Sequence, residues 1–290
     1  MKRGFILLSL AIALILLLLS VGCGGSRVAP DPGQGNQQTE RLKIVTTTSL
    51  ISEIAASVGG DKVEVISIIP PASCPGHFDV KPDDVKILSD STYFMLHNWQ
   101  GEKFSEALIK SAGNADLQKI VYDIKGNWMV PPVRLQAIDM ITADLSGALP
   151  ENQTAFSEAA AKMQQEVVQV ATEQKKRLND KSTGQINVLT NDNQAGFVKW
   201  AGLNVVGTFS RAEDMSPKDI EDLINLGRDK NVTLVVDNLQ SGKETGIGIA
   251  KEIGAAQVTL NNFPGGSPGT DNWAEAIKKN VDLILENIPK

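Results

Sequence analysis

The sequence predicts an α/β protein of two lobes joined by one long rigid helix, on three observations. Across residues 151–180, Phe156, Ala160, Met163, Val167, Val170, Gln174 and Arg177 recur at spacings of four and three, so an apolar stripe that turns polar near its end runs up one face. No proline or glycine interrupts this run from 151 onward. At roughly 1.5 Å per residue it is about 40 Å long, the width of a whole domain. On both sides of it, short β-branched runs alternate with amphipathic segments, the rhythm of parallel sheets covered by helices. About 250 residues follow the N-terminal segments, enough for two lobes with a modest core each.

The chain begins with Lys2 and Arg3, an apolar stretch and Ser20-Val21-Gly22 ahead of Cys23. Residues 1–22 read as a lipoprotein signal peptide, with Cys23 lipidated as the mature N-terminus; Ser20 stands where such boxes usually carry Leu. An uncleaved membrane anchor is the weaker reading, because the apolar run is barely long enough and ends in Gly-Cys-Gly-Gly. Either way the remainder lies outside the cytoplasm, at the cell surface or in a periplasm. Residues 23–41, rich in Gly, Pro, Gln and Asn, form a flexible tether. Losing Lys2 and Arg3 takes the formal charge from −6 to −8. With no basic block to offset it, nucleic acid is excluded as a partner.

The N-terminal lobe, residues 42–150, is expected to carry strands at 43–46, 63–69, 92–96 and 119–122, and helices at 50–58, from Pro82, at 102–111 and at 133–149. The linking helix occupies 151–180. The C-terminal lobe, 181–290, repeats the pattern with strands at 186–190, 205–208, 233–236 and 257–260. Ser216-Pro217 opens one of its helices, Gly254 closes another, and 272–286 is the last. The lobes are Rossmann-like, and in such sheets a solute sits beyond the carboxyl ends of the strands, in the cleft between them.

That rule brings few reactive groups to the cleft. Cys74 is the one thiol left after lipidation, on the proline-rich stretch Pro70-Pro71-Ala72-Ser73-Cys74-Pro75-Gly76-His77, and the only histidines are His77 and His97. Thiolate, imidazole and thioether form a soft ligand set suited to zinc or copper(I). On spacing alone, Cys74-x-x-His77 leaves a metal site and no metal equally open. An enzyme with Cys74 as nucleophile and His77 or His97 as base lacks an orienting acid and an oxyanion hole, so no catalytic role is expected. Asp237, Phe197, Trp200 and Trp273 read as structural.

The segment Gly76-His77-Phe78-Asp79-Val80-Lys81-Pro82-Asp83-Asp84-Val85 resembles the first ligand loop of the zinc and manganese solute-binding lipoproteins of ABC importers. The helix after Leu149-Pro150-Glu151-Asn152, the Asn98 loop before an acid-started helix, and 216–226 followed by a buried strand ending in an acid agree with it. The resemblance covers 42–288 and implies a helical-backbone metal receptor outside the membrane, held by its N-terminal lipid, with an ABC permease and its ATPase as partners. It implies a metal cargo, zinc or a softer transition metal, held by His77 and by the positions of Met129, Asn191 and Asn261, with Cys74 replacing a lost ligand. Family members carry His, Glu or Asp at the three latter positions. The alternative is the same receptor role for a small organic solute or metal complex, recognised by Asn98, Trp99, Trp128, Asn191, Asn193 and Asn261.

Overall fold

Parallel sheets whose central strands are short, rich in Val, Ile and Leu and buried on both faces need helices on both sides, which parallel crossovers provide. The computed structural model, which describes residues 41–99 and 102–289, shows two such sheets. The first contains β1 (Leu42–Thr46), β2 (Val63–Ser67), β3 (Tyr93–His97) and β4 (Gln118–Tyr122), all parallel, in the order β2-β1-β3-β4. The second contains β5 (Asn187–Asn191), β6 (Asn204–Phe209), β7 (Leu234–Asn238) and β8 (Ala256–Leu260), in the corresponding order β6-β5-β7-β8.

The helices of the first lobe are α1 (Ser49–Gly59), α2 (Pro82–Ser89), α3 (Phe104–Ala112) and α4 (Pro131–Ala148). The linking helix is α5 (Gln153–Asn179), and α6 (Ala195–Trp200), α7 (Pro217–Asp229), α8 (Glu244–Ile253) and α9 (Trp273–Asn287) follow. Helix α4 starts two residues earlier than the pattern of apolar residues indicates. Pro131 and Pro132 fill its first turn, where the absent N–H groups have no partner to lose. A 3₁₀ turn, Pro150–Asn152, takes up the first residues assigned to the long helix.

Alternation along the strands sorts the core into layers. Ile44, Val188, Leu234 and Val236 face inward and join Phe156, Val167, Val170 and Leu178 of α5 in one apolar cluster shared by both lobes. Val45, Leu189 and Val235 face outward into two smaller clusters under α2–α3 and α7–α8. The stripe on α5 ends at buried Leu178 rather than at Arg177, which is exposed and reaches Asp282 of α9 at 2.7 Å. Helix α5 packs on α1, α4 and α9. Arg134 of α4, 1% exposed, lies 2.8 Å from Glu53 of α1, whose other oxygen accepts the Trp273 backbone N–H of α9 at 2.9 Å. Elements of both lobes are thereby tied behind the cleft.

Candidate solute-binding site

In each sheet the chain reverses its winding between the two central strands, at β1/β3 and at β5/β7, and these two switch points face one cavity of about 460 Å³. Its walls carry Cys74, Trp99, Asn127 and Trp128 from the first lobe and Asn193, Arg211, Asn238, Gln240 and Phe263 from the second. Among the described residues the lining contains one cation, Arg211, and one acid, Asp192.

An aromatic stack forms one wall. Buried His97, at the end of β3, lies flat against Trp99, with ring centroids 3.6 Å apart and planes 2° from parallel, and meets Trp128 edge-on at 4.4 Å. Its Nε2 is 2.8 Å from Thr48 Oγ1, and burial holds the ring neutral by lowering its pKa well below the usual histidine value. Beneath it Glu102, 2% exposed, accepts the Thr47 hydroxyl at 2.8 Å and the His97 backbone N–H at 2.9 Å. Burial outweighs those two bonds and pushes its pKa up to about 8. Phe263, from the other lobe, lies 10° from parallel to Trp99 with centroids 6.2 Å apart.

The remaining wall is a net of neutral amides across the cleft. Asn127 Nδ2 donates to the Asn193 carbonyl at 2.8 Å and to Asn262 Oδ1 at 2.7 Å. Gln240 Nε2 donates to the Pro71 carbonyl at 2.8 Å and to Asn261 Oδ1 at 2.9 Å. Ser241 Oγ accepts from Asn238 at 2.7 Å and from Asn193 at 3.1 Å.

At the rim, a 3₁₀ turn Pro75–His77 presents Cys74 and His77 to Arg211, which follows β6. The guanidinium donates to Cys74 Sγ and lies 2.9 Å from His77 Nε2. Glu213 Oε1 is 3.5 Å from the same imidazole nitrogen and 3.6 Å from Arg211. Thiol, imidazole and carboxylate thus converge on a guanidinium. Among the described residues no group of three His, Cys, Asp or Glu side chains is placed to hold a metal ion.

The structure separates the residues that the resemblance grouped as metal ligands. Cys74 lines the cavity, and exposed His77 stands beside it. Met129 is 0% exposed and belongs to the core, and only its backbone forms hydrogen bonds, the carbonyl accepting Trp273 Nε1 at 3.2 Å. Asn191 is buried and caps the turn Asp192–Gln194 by accepting the Asn193 N–H at 3.1 Å. Asn261, also buried, accepts from Gln240 and from the Phe263 N–H at 3.1 Å while donating to Thr270 Oγ1 at 3.1 Å. Neither amide faces the cavity. Trp128 borders it but is 1% exposed, so Trp99 is the aromatic surface on offer.

The strand-end rule brings Arg211 and, within 123–129, Asn127 to the cleft without giving either a role, and it does not reach Gln240; all three line the cavity. Asn127 lies two positions before Met129 and accepts the Met129 N–H at 2.7 Å, which turns Met129 inward and Asn127 toward the cleft. Asp237 is structural as expected: it is buried, accepts the Gly246 N–H in the first turn of α8 at 3.1 Å and Gln257 Nε2 at 2.6 Å, and its pKa rises to about 6 through burial. Cys23 and the tether lie outside the described residues.

The family model described as "Zinc-uptake complex component A periplasmic", ZnuA, matches residues 44–287. The manganese-binding lipoprotein MntA of Halalkalibacterium halodurans is 20% identical over 300 aligned residues, covering 96% of this chain and 97% of its own. The manganese ABC transporter substrate-binding lipoprotein PsaA of Streptococcus pneumoniae is 29% identical over 121 residues, 42% of this chain and 34% of its own length. The crystal structure of ZnuA superimposes with a TM-score of 0.71 at 20% identity, covering 86% of this chain and 99% of its own. Two parallel four-stranded lobes, one linking helix and a family match running from β1 to the end of α9 lead to one conclusion: the chain belongs to the ZnuA family of metal-binding substrate-binding proteins of ABC importers, and it is a binding protein, not an enzyme.

Proposed function

We propose that this protein is the extracytoplasmic receptor of an ABC importer, anchored through lipid on Cys23, and that it delivers a small organic solute or metal complex rather than a bare divalent cation. The carrying observation is Arg211, whose guanidinium holds Cys74 and His77 at the rim where the family resemblance puts the first metal ligand. With Arg211 where it stands, a divalent ion beside those donors would face its positive charge, at roughly 4 kcal/mol of repulsion per unit of charge at about 4 Å in a protein-surface medium, which Glu213 at 3.6 Å from the guanidinium offsets in part. The amide and tryptophan lining, by contrast, suits hydrogen bonding and stacking to a neutral or singly charged molecule.

A second reading keeps the bare soft metal: Cys74, His77 and Glu213 all contact Arg211, and an outward swing of that side chain would let the three close up into a ligand set that they do not form as they stand. Native mass spectrometry and elemental analysis of residues 26–290, purified anaerobically, separate the two. The expected result is a metal-free protein carrying an organic mass, with zinc titrations showing binding no tighter than tens of micromolar. Stoichiometric zinc that is lost in Cys74→Ser and in His77→Ala would overturn the proposal in favour of the metal.

A further inference from the structure

We infer that the solute is a zwitterion of the amino-acid class, held with its carboxylate against Arg211 and its ammonium against Asp192; this rests on the organic-solute reading above. Among the described residues these two are the one cation and the one acid of the cavity wall. Both come from the second lobe, Asp192 directly after β5 and Arg211 shortly after β6, strands that are neighbours in the sheet. Ser210 joins them: its hydroxyl donates to Asp192 Oδ2 at 2.6 Å, and its backbone leads directly into Arg211. The two charges thus share one side of the cleft.

Neither charge is answered by the other. Among the described residues no ion pair joins Asp192 to Arg211, and the Ser210 hydroxyl is the one hydrogen-bond donor to the Asp192 carboxylate. The Arg211 guanidinium hydrogen-bonds a thiol and an imidazole, those of Cys74 and His77, rather than a carboxylate. Glu213 stands 3.6 Å away, half-exposed and outside the cavity wall, where solvent weakens its pull. An α-amino acid carries both of its charges on one carbon, so it needs an acid and a cation that are neighbours without being a pair. A dicarboxylate would set a like charge against Asp192, and a diamine would set one against Arg211. The planar fork of guanidinium donors also fits a carboxylate in two-point contact.

Much of the amide net is already spent within the protein. Both amide protons of Asn127 go to Asn193 and Asn262, and both of Gln240 go to Pro71 and Asn261. Gln240 Oε1 accepts the Asn262 N–H at 3.1 Å. Ser241 Oγ accepts from two amides, which leaves its own proton for an acceptor on the solute. These amides therefore shape the cavity, while Arg211, Asp192 and Ser241 address the polar groups of what enters it. The volume of about 460 Å³ lies low in the range of about 300–1,000 Å³ for small-molecule pockets, which suits a single amino acid.

The test is calorimetric titration of the mature chain with the twenty protein L-amino acids one at a time, then with the carboxamide and the N-acetyl derivative of the tightest binder. The carboxamide lacks the carboxylate and the N-acetyl derivative lacks the ammonium, so each charge is removed separately. The expected result is saturable binding of at least one amino acid, with both derivatives at least tenfold weaker. Arg211→Gln should bring the amino acid down to the affinity of its carboxamide, whereas Arg211→Lys, which keeps the charge, should retain a preference for the free acid. Asp192→Asn keeps an acceptor for Ser210 and should bring the amino acid down to the affinity of its N-acetyl derivative. No binding by any of the twenty, derivatives that bind as tightly as the parent, or charge preferences that survive in both Arg211→Gln and Asp192→Asn would overturn the inference. A copurifying organic solute without an ammonium or without a carboxylate would overturn it while leaving the organic-solute reading intact, whereas stoichiometric zinc lost in Cys74→Ser would remove both.

Discussion

Raising the pH from 6.5 to 8 should destabilise the folded protein through one carboxyl group. In the folded state Glu102 keeps its proton to about pH 8, whereas an unperturbed glutamate releases it near 4.5. Between those values the folded chain binds one more proton than the unfolded chain, so stability falls as pH rises. His97 acts in the opposite direction, since its ring stays neutral when folded and takes up a proton on unfolding below 6.5; stability there falls as pH falls. Asp237, raised to about 6, contributes only below that value. From 6.5 upward Glu102 therefore acts alone among these three, at about 1.4 kcal/mol per pH unit well below its pKa and about half that at pH 8, or about 1.7 kcal/mol in all by pH 8. Urea unfolding at pH 6.5, 7, 7.5 and 8.5 measures it, with Glu102→Gln as the comparison. The variant keeps an acceptor for Thr47 and should show a flat profile over that range. A wild-type profile flat to within 0.5 kcal/mol, or an equal fall in Glu102→Gln, would refute the reasoning that burial governs this group, taking about 0.5 kcal/mol as the smallest resolvable change.

Two further outcomes follow from close packing. In Gly246→Ala the added methyl carbon would sit 2.1 Å from Asp237 Oδ2, so α8 must shift or lose its buried cap. Urea denaturation should show a loss of about 1–3 kcal/mol that shrinks in an Asp237→Ala background. Glu53→Ala strands the Arg134 charge, 1% exposed, and should cost about 3–5 kcal/mol, seen by calorimetry as a melting point lower by roughly 6–20 °C. The double change Glu53→Met with Arg134→Met should recover most of that, since no unpaired charge remains.

The frame was legible because its signals are local. Ser216 and Asp219 form a reciprocal cap, with the Asp219 N–H donating to Ser216 Oγ at 3.2 Å and the Ser216 N–H donating to Asp219 Oδ2 at 2.8 Å. Gly254 ends α8 in the left-handed region at φ 73°. The site was less legible because its contacts are distant and follow no spacing rule. Arg211 meets Cys74 across 137 positions, and nothing in the run 204–213 marks it as their partner. At Met129 the register reaches a loop that borders the cavity, but the side chain facing it is that of Asn127, two positions earlier, whose oxygen accepts the Met129 N–H while Met129 itself packs in the core.

Asn261 also bears on how such a receptor can change over generations. Its amide is locked by Gln240, Phe263 and Thr270, and a methyl on Gly266 would lie 2.2 Å from its oxygen. Placing an acid there would discard the donor to Thr270 and leave a negative charge in a niche with no cation within hydrogen-bonding reach among the described residues. A charged ligand at this position would therefore need Gln240, Thr270 and Gly266 to change with it, each change carrying its own folding penalty. As it stands, position 261 works as an internal strut of its loop, so substitutions that alter what the cleft binds are expected at the lining residues around it rather than at this amide.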